Sequence, residues 1–264
     1  NDRAFGVCLF GDYLAVVGTA DGDEFVALLD RATGEVIKTW IGEYGLFFNC
    51  LSIGDRLYIV GSDIYIFDKE LNVVKRVNWG RVDWLLLGIS FDGGYLYLAG
   101  LMRKDVDGHE NWVWRIEKRT LDLDLVAYSE FYREWDKTYG YGSVAFDIAV
   151  NPATGDLWTV GMWTLINRTS GSWINNHSLL VIFDRELNVK RVVEYPEGQE
   201  NYLHWLYGIC FDDDGNANVV GGWGIAKFDK YGNLLAVNKK AKGSKIACVR
   251  GKVYVFGESY VDKE

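Results

Sequence analysis

The sequence predicts an all-β fold made from one repeated unit, and three observations lead there. Residues 88–100 read GISFDGGYLYLAG, with apolar stretches flanking Asp92-Gly93-Gly94, and Asp-Gly supplies the positive φ of a tight hairpin turn. The same strand–turn–strand–Gly signal returns at 6–18, 50–61, 148–161, 209–221 and 247–257. A second, more polar hairpin follows each copy but the last, at 25–40, 64–78, 112–127, 179–194 and 225–239. Helical periodicity persists nowhere over a useful length.

Taken in order, the elements fall into four-stranded units. Each unit runs through an apolar hairpin ending on Gly, then a hydrophobic strand closed by an Asp or charged turn (Asp30, Asp68, Asp184, Asp229), then a strand rich in Lys, Arg and Glu. A charged fourth strand suits the outer edge of a sheet, where it blocks edge-to-edge pairing. Units of this kind cannot bury an apolar face alone, and repeated side by side they build a β-propeller. Six copies of the first hairpin against five of the second predict six blades, the last incomplete in this chain. Their approximate limits are 5–41, 46–80, 84–132, 141–195, 204–240 and 243–264. The missing strands are expected from beyond Glu264 or from a neighbouring molecule, with homo-association through the sixth blade as one outcome.

Two segments carry a family resemblance. Tyr207–Asn233 (YGICFDDDGNANVVGGWGIAKFDKYGN) and Phe146–Asn188 resemble the bacterial and archaeal β-propeller repeat proteins. Ala27–Trp40 (ALLDRATGEVIKTW) is similar to a quinoprotein-type repeat. The resemblance covers nearly the whole chain as repeat chemistry. It implies the fold and no catalytic residue, and no cofactor is expected from it.

The 264 residues carry a formal charge of −9 and a pI near 5.0, with both signs interspersed. That balance argues against a nucleic-acid or anionic-membrane partner, and no apolar run approaches the ~18 residues of a membrane span. The chain opens on Asn1 rather than Met, so a processed form is expected. A single glutamine, Gln199, hints at a thermophilic source.

Cys8, Cys50, Cys210 and Cys248 each fall in the first strand of a different blade, and Ser90 and Ala149 take the matching places in blades three and four. Positions that accept only Cys, Ser or Ala are short of space, so the cysteines are expected to be free, buried small residues. Disulfides between blades are not expected, because the Cα atoms would have to approach within ~7 Å. A metal or redox site using Cys8, Cys50 and Cys248 is the sharper alternative, and no CxxC or Cys/His spacing accompanies it.

The turns divide into two sets. Those within hairpins are short and polar, whereas the connections at Leu101–Asn111, Tyr132–Ser143, Met162–His177 and Pro196–His204 read as long loops on one face. These loops and their flanks hold aromatic rings among charged and amide side chains, the usual make-up of a recognition surface. Trp84, Trp135, Tyr141, Trp163, Trp173 and Trp205 are the candidate contacts. Arg81, Arg133, Asp136, Asn175 and His204 are the candidate hydrogen-bonding groups. Each ring could instead seal the joint between two blades. The expected function is a non-catalytic recognition or structural propeller, extracellular or at the cell surface, that binds glycan or protein through this face. Asn167 and Asn176 head glycosylation triplets in the longest loop and point the same way. The alternative is a metal-dependent lyase or hydrolase using His109, His177 or His204, the three histidines of the chain.

Overall fold

The structure, a computed structural model, describes residues 2–78, 84–106, 108–132, 139–167, 169–170 and 172–257. Five antiparallel four-stranded sheets and one two-stranded sheet follow one another along the chain. Blade one holds β1 (Arg3–Phe10), β2 (Tyr13–Ala20), β3 (Asp23–Asp30) and β4 (Val36–Tyr44); blade two holds β5 (Phe47–Ile53), β6 (Arg56–Gly61), β7 (Ile64–Phe67) and β8 (Val73–Val77). Blade three comprises β9 (Trp84–Phe91), β10 (Leu96–Val106), β11 (His109–Arg119) and β12 (Leu125–Phe131); blade four comprises β13 (Tyr139–Val150), β14 (Leu157–Asn167), β15 (Trp173–Phe183) and β16 (Val189–Pro196). Blade five is β17 (Leu206–Phe211), β18 (Ala217–Gly221), β19 (Gly224–Phe228) and β20 (Leu234–Asn238), and the sixth sheet is β21 (Lys245–Val249) with β22 (Lys252–Phe256). The first strands pack side by side in order, β1 on β5, β5 on β9, β9 on β13, β13 on β17 and β17 on β21, so they form the inner ring.

Burial follows the alternation of sequence character. The middle strands are almost wholly buried, as in β7 and β14, while the charged outer strands β4, β16 and β20 are largely exposed. Four apolar clusters fill the four joints between blades one and five: around Phe47 and Tyr65, around Ile64 and Leu98, around Trp114 and Leu157, and around Trp158 and Phe228. The joint between blades five and six holds no such cluster among the described residues.

The glycine that closes each inner hairpin has a steric cause. A Cβ added to Gly18, Gly61, Gly100 or Gly161 would overlap the carbonyl oxygen of Arg3, Leu46, Leu85 or Val144, on or just before the neighbouring first strand. That close approach accompanies a β-bulge, which leaves Phe5, Phe48, Leu87, Phe146 and Tyr207 as the extra residues of the first five inner strands. β21 pairs with β22 without a register shift.

Two expectations are corrected. The cysteines are not free: Cys8 bonds to Cys50 and Cys210 to Cys248, with Cα atoms 5.9 and 5.6 Å apart. Cys8, Ser90, Ala149 and Cys210 are equivalent in register, each opposite the residue three places before the closing glycine. Cys50 and Cys248 sit one place off that register, in opposite directions, opposite Ile59 and Val253. A shift of one residue turns a side chain to the other face of its strand. Each disulfide therefore joins facing sides of two adjacent inner strands, which equivalent positions could not do.

The second correction concerns the long loops. Most of Leu101–Asn111 and Met162–His177 is strand, because β10–β11 and β14–β15 run on as extended hairpins. Cross-strand partners accommodate their polar residues: Arg103 pairs with Glu110, and Lys104 reaches Glu130 while its ammonium lies 4.7 Å from the Tyr132 ring centroid. Pro196–His204 carries turns and no strand beyond its first residue.

Candidate functional site

Among the predicted aromatic residues, Tyr141 and Trp163 share one stack, Trp205 belongs to a second, and Trp84 lies against Arg115. In blade four, β13 and β14 place Tyr141 and Trp163 in a stack, centroids 5.6 Å apart, and His177 of β15 lies on the other side of Trp163 at 3.9 Å. Tyr141 and Trp163 are only 3% and 2% exposed. Glu194 of β16 supports this stack: the Trp163 indole N–H donates to its Oε1 at 2.8 Å, and His177 Nδ1 lies 2.5 Å from the same oxygen. This group is a packed joint, and its rings face neighbours rather than solvent.

The second stack rises at the entry of blade five. His204 lies between Trp205 and Trp223, with centroids at 5.0 and 5.3 Å and planes within 24°, and Tyr202 meets Trp223 edge-on at 5.2 Å. Trp205 continues the series to Phe146 at 6.2 Å and to Tyr207 at 6.3 Å, both bulge residues of the inner ring. Trp223 is half exposed, whereas Tyr202 is buried. The row thus leads from solvent toward the axis.

Hydrogen bonds hold this row in place. His204 adopts a left-handed backbone, φ 64°, which a residue with a β-carbon takes at some cost. The Ser178 hydroxyl of β15 donates to the His204 carbonyl and accepts the Leu203 N–H at 3.1 Å, so blade four fixes the entry of blade five. The Trp223 N–H donates to the Leu203 carbonyl at 3.1 Å and ties the two sides of the row together. Burial between rings holds the His204 imidazole below its ordinary pKa, against a weaker pull from Glu197. Burial pushes the Tyr202 phenol up to about 12, with Glu197 adding to it. At neutral pH the row carries no charge.

Beside it lies a depression of about 780 Å³ bordered by Arg3, Phe5, Tyr207, Gly222, Lys242 and Ser244. This depression lies among blades one, five and six. It offers two cationic side chains next to two aromatic ones.

The remaining predicted residues lie elsewhere. Trp84 is half-buried at the start of β9, with the Arg115 guanidinium 5.4 Å from its ring. Asn175 is exposed on β15 with a left-handed φ of 55°, at the register shift opposite Thr164. Trp173 and His109 open β15 and β11. Arg81, Arg133, Trp135 and Asp136 lie outside the described residues. Asn167 accepts the Thr169 and Ser170 N–H groups, and Asn176 donates to Glu197 at 3.1 Å. No three His, Cys, Asp or Glu side chains converge as metal ligands among the described residues. Trp223 is not among the contacts expected from the sequence. Its place directly after the Gly221-Gly222 corner, where a side chain has few neighbours, was the available signal.

No protein-family model matches the chain, and no curated protein matches it. Among solved structures it is similar to the WD40 domain of a Toxoplasma gondii coronin, at 14% identity and a TM-score of 0.56, over 89% of this chain and 58% of that one. It is also similar to a chain of a mitotic checkpoint complex, at 10% identity and 0.54, over 89% and 62%. A third likeness is to Kuenenia stuttgartiensis hydrazine synthase, at 13% identity and 0.50, over 94% and 90%. The chain thus spans about three-fifths of the first two. Identities this low speak for architecture alone, and the chain is a β-propeller.

Proposed function

We propose that the protein is a non-catalytic recognition module whose decorated face binds a glycan, with the blade-five aromatic row as its platform. One observation carries this reading: an uncharged, pre-positioned row of rings that ends on a half-exposed tryptophan beside a depression edged by Arg3 and Lys242. Sugar rings present C–H faces that pack on an indole, and their hydroxyls or acidic substituents take hydrogen bonds from cationic side chains. The Ser178 clamp supports the reading, because a rigid platform loses little entropy on binding. The buried blade-four rings serve as its foundation, and Trp84 and Asn175 extend the face. The two disulfides support an extracellular or otherwise oxidising location.

The test is tryptophan fluorescence titrated with neutral and acidic oligosaccharides. Replacing Trp223 by Ala is expected to weaken binding by ~1–3 kcal/mol with a smaller effect on Tm, because the residue is half exposed. Binding that is indifferent to Trp223 and Trp205, or found only with protein ligands, overturns the glycan reading.

A further inference from the structure

A second polar arrangement, unused by the aromatic face, rings the axis. In every blade one inner-strand residue pairs with the residue just before the closing glycine: Gly6, Asn49, Gly88, Asp147, Gly208 and Lys245. Glycine and a polar side chain alternate around the ring. The glycines stand where blades crowd: a Cβ on Gly6 would lie 2.9 Å from Asn49 Cα, and one on Gly88 would lie 2.8 Å from Asp147 Cα. Only every second blade therefore presents a side chain at this level. Asn49, Asp147 and Lys245 line one cavity of about 530 Å³, whose apolar walls include Phe5, Val16 and Phe256.

The two acceptor-bearing groups are fixed in place. Asp147 Oδ1 accepts the Ile148 N–H at 3.0 Å, and Oδ2 accepts the Ile209 N–H of the next blade at 3.1 Å. Each oxygen keeps a lone pair for a further donor. Asn49 Oδ1 accepts the Cys50 N–H at 3.0 Å, which commits the oxygen inward and leaves the amide N–H groups as donors. Burial pushes the Asp147 carboxyl above its ordinary pKa, Lys245 pulls it back electrostatically, and no direct ion pair joins the two among the described residues. A carboxylate, an ammonium and an amide donor thus share an apolar cavity, with the opposite charges held apart by the spacing of the blades. Burying charge without direct pairing is costly, and a ligand carrying both complementary charges would relieve that cost.

We propose that this axial cavity binds a small zwitterion, a free α-amino acid with an apolar side chain. Its ammonium donates to Asp147. Its carboxylate is held by Lys245 and the Asn49 amide, and its side chain lies against Phe5, Val16 and Phe256. The site shares Phe5 with the depression beside the blade-five platform and uses none of the platform's stacked rings.

The experiment is calorimetric titration and thermal unfolding of the whole chain with L-leucine, L-leucinamide and N-acetyl-L-leucine. L-leucine should bind and raise Tm, and each blocked analogue should bind at least ~10-fold more weakly, because it leaves one partner in the cavity unpaired. Lys245→Met should lose at least ~10-fold in leucine affinity, and Lys245→Arg should recover part of it. Trp223→Ala should bind leucine as the parent does, so that failure here and failure of the glycan reading are distinguishable. The proposal is overturned if leucine neither binds nor raises Tm, if leucinamide matches leucine, or if Lys245→Met binds leucine normally. It is equally overturned if Lys245→Met lowers the ligand-free Tm while leucine has no effect, since the axial groups would then be structural.

Discussion

Glu117 is fully buried between Arg115 and Arg119, whose Nε atoms lie 2.9 and 2.7 Å from its two oxygens. The Arg115 guanidinium also sits 3.4 Å from the centroid of the Tyr128 ring. Replacing Glu117 by Leu should cost ~3–5 kcal/mol in denaturant unfolding, because Arg115 and Arg119 each lose a buried carboxylate partner, even though Arg115 keeps Glu130 at 3.2 Å. His204 makes a prediction of opposite character. Its pKa is lowered in the fold, so its contribution to stability is whole above the ordinary imidazole value of ~6.5 and is lost as pH falls through the folded value. Sugar binding should therefore hold level from pH 7 to 9 and weaken in mild acid, and His204→Phe should remove that weakening. Neither environment was legible residue by residue. Glu117 reads as one more charge on a polar strand, and the single-residue offsets of Cys50 and Cys248 vanish when the blades are aligned by their most obvious small residues.

Among the elements, the closing hairpins were the most legible, and the structure supplies their cause. Asp68 accepts the N–H groups of Glu70 and Asn72 at 3.0 and 2.8 Å, and the Asn72 amide returns to its other oxygen at 2.9 Å; Asp184 makes the same set with Glu186 and Asn188. The repeated Asp-x-x-x-Asn spacing is thus a self-bonded turn. These bonds, the asparagine side chain foremost, hold both carboxyls below the ordinary carboxylate value. The turns accordingly stabilise the fold above pH ~3.9, and the contribution is lost as pH falls through the folded values. Asn188→Ala should lower Tm at pH 5 and narrow the gap between Tm at pH 5 and at pH 3. The extended hairpins of blades three and four were harder to see, because opposite charges paired across a ladder have the same composition as a solvated loop.

For the molecule as a whole, repetition made the blade number readable, since each blade solves the same packing problem with the same residues. The location of the concavity was not readable, because it depends on how the ends of the chain meet around the axis. Apolar side chains there remain uncovered: Val7 is 62% exposed, Leu9 52% and Phe256 57%. Stability should therefore grade along the ring. Hydrogen exchange should find the slowest amides in the middle strands of blades two to four, and the fastest strand amides in β21 and β22.

The disulfides occupy the joints between blades one and two and between blades five and six, the two outermost joints of the series. A stack of repeats frays from its ends, where each terminal unit has a single neighbour to hold it. Two covalent rivets at those places convert end-fraying into a collective event, because a terminal blade cannot peel away without pulling its neighbour along. Under reducing conditions the molecule should lose that property selectively. Blade six should then unfold in a separate early transition in a thermal scan, and blades two to five should melt nearly as before.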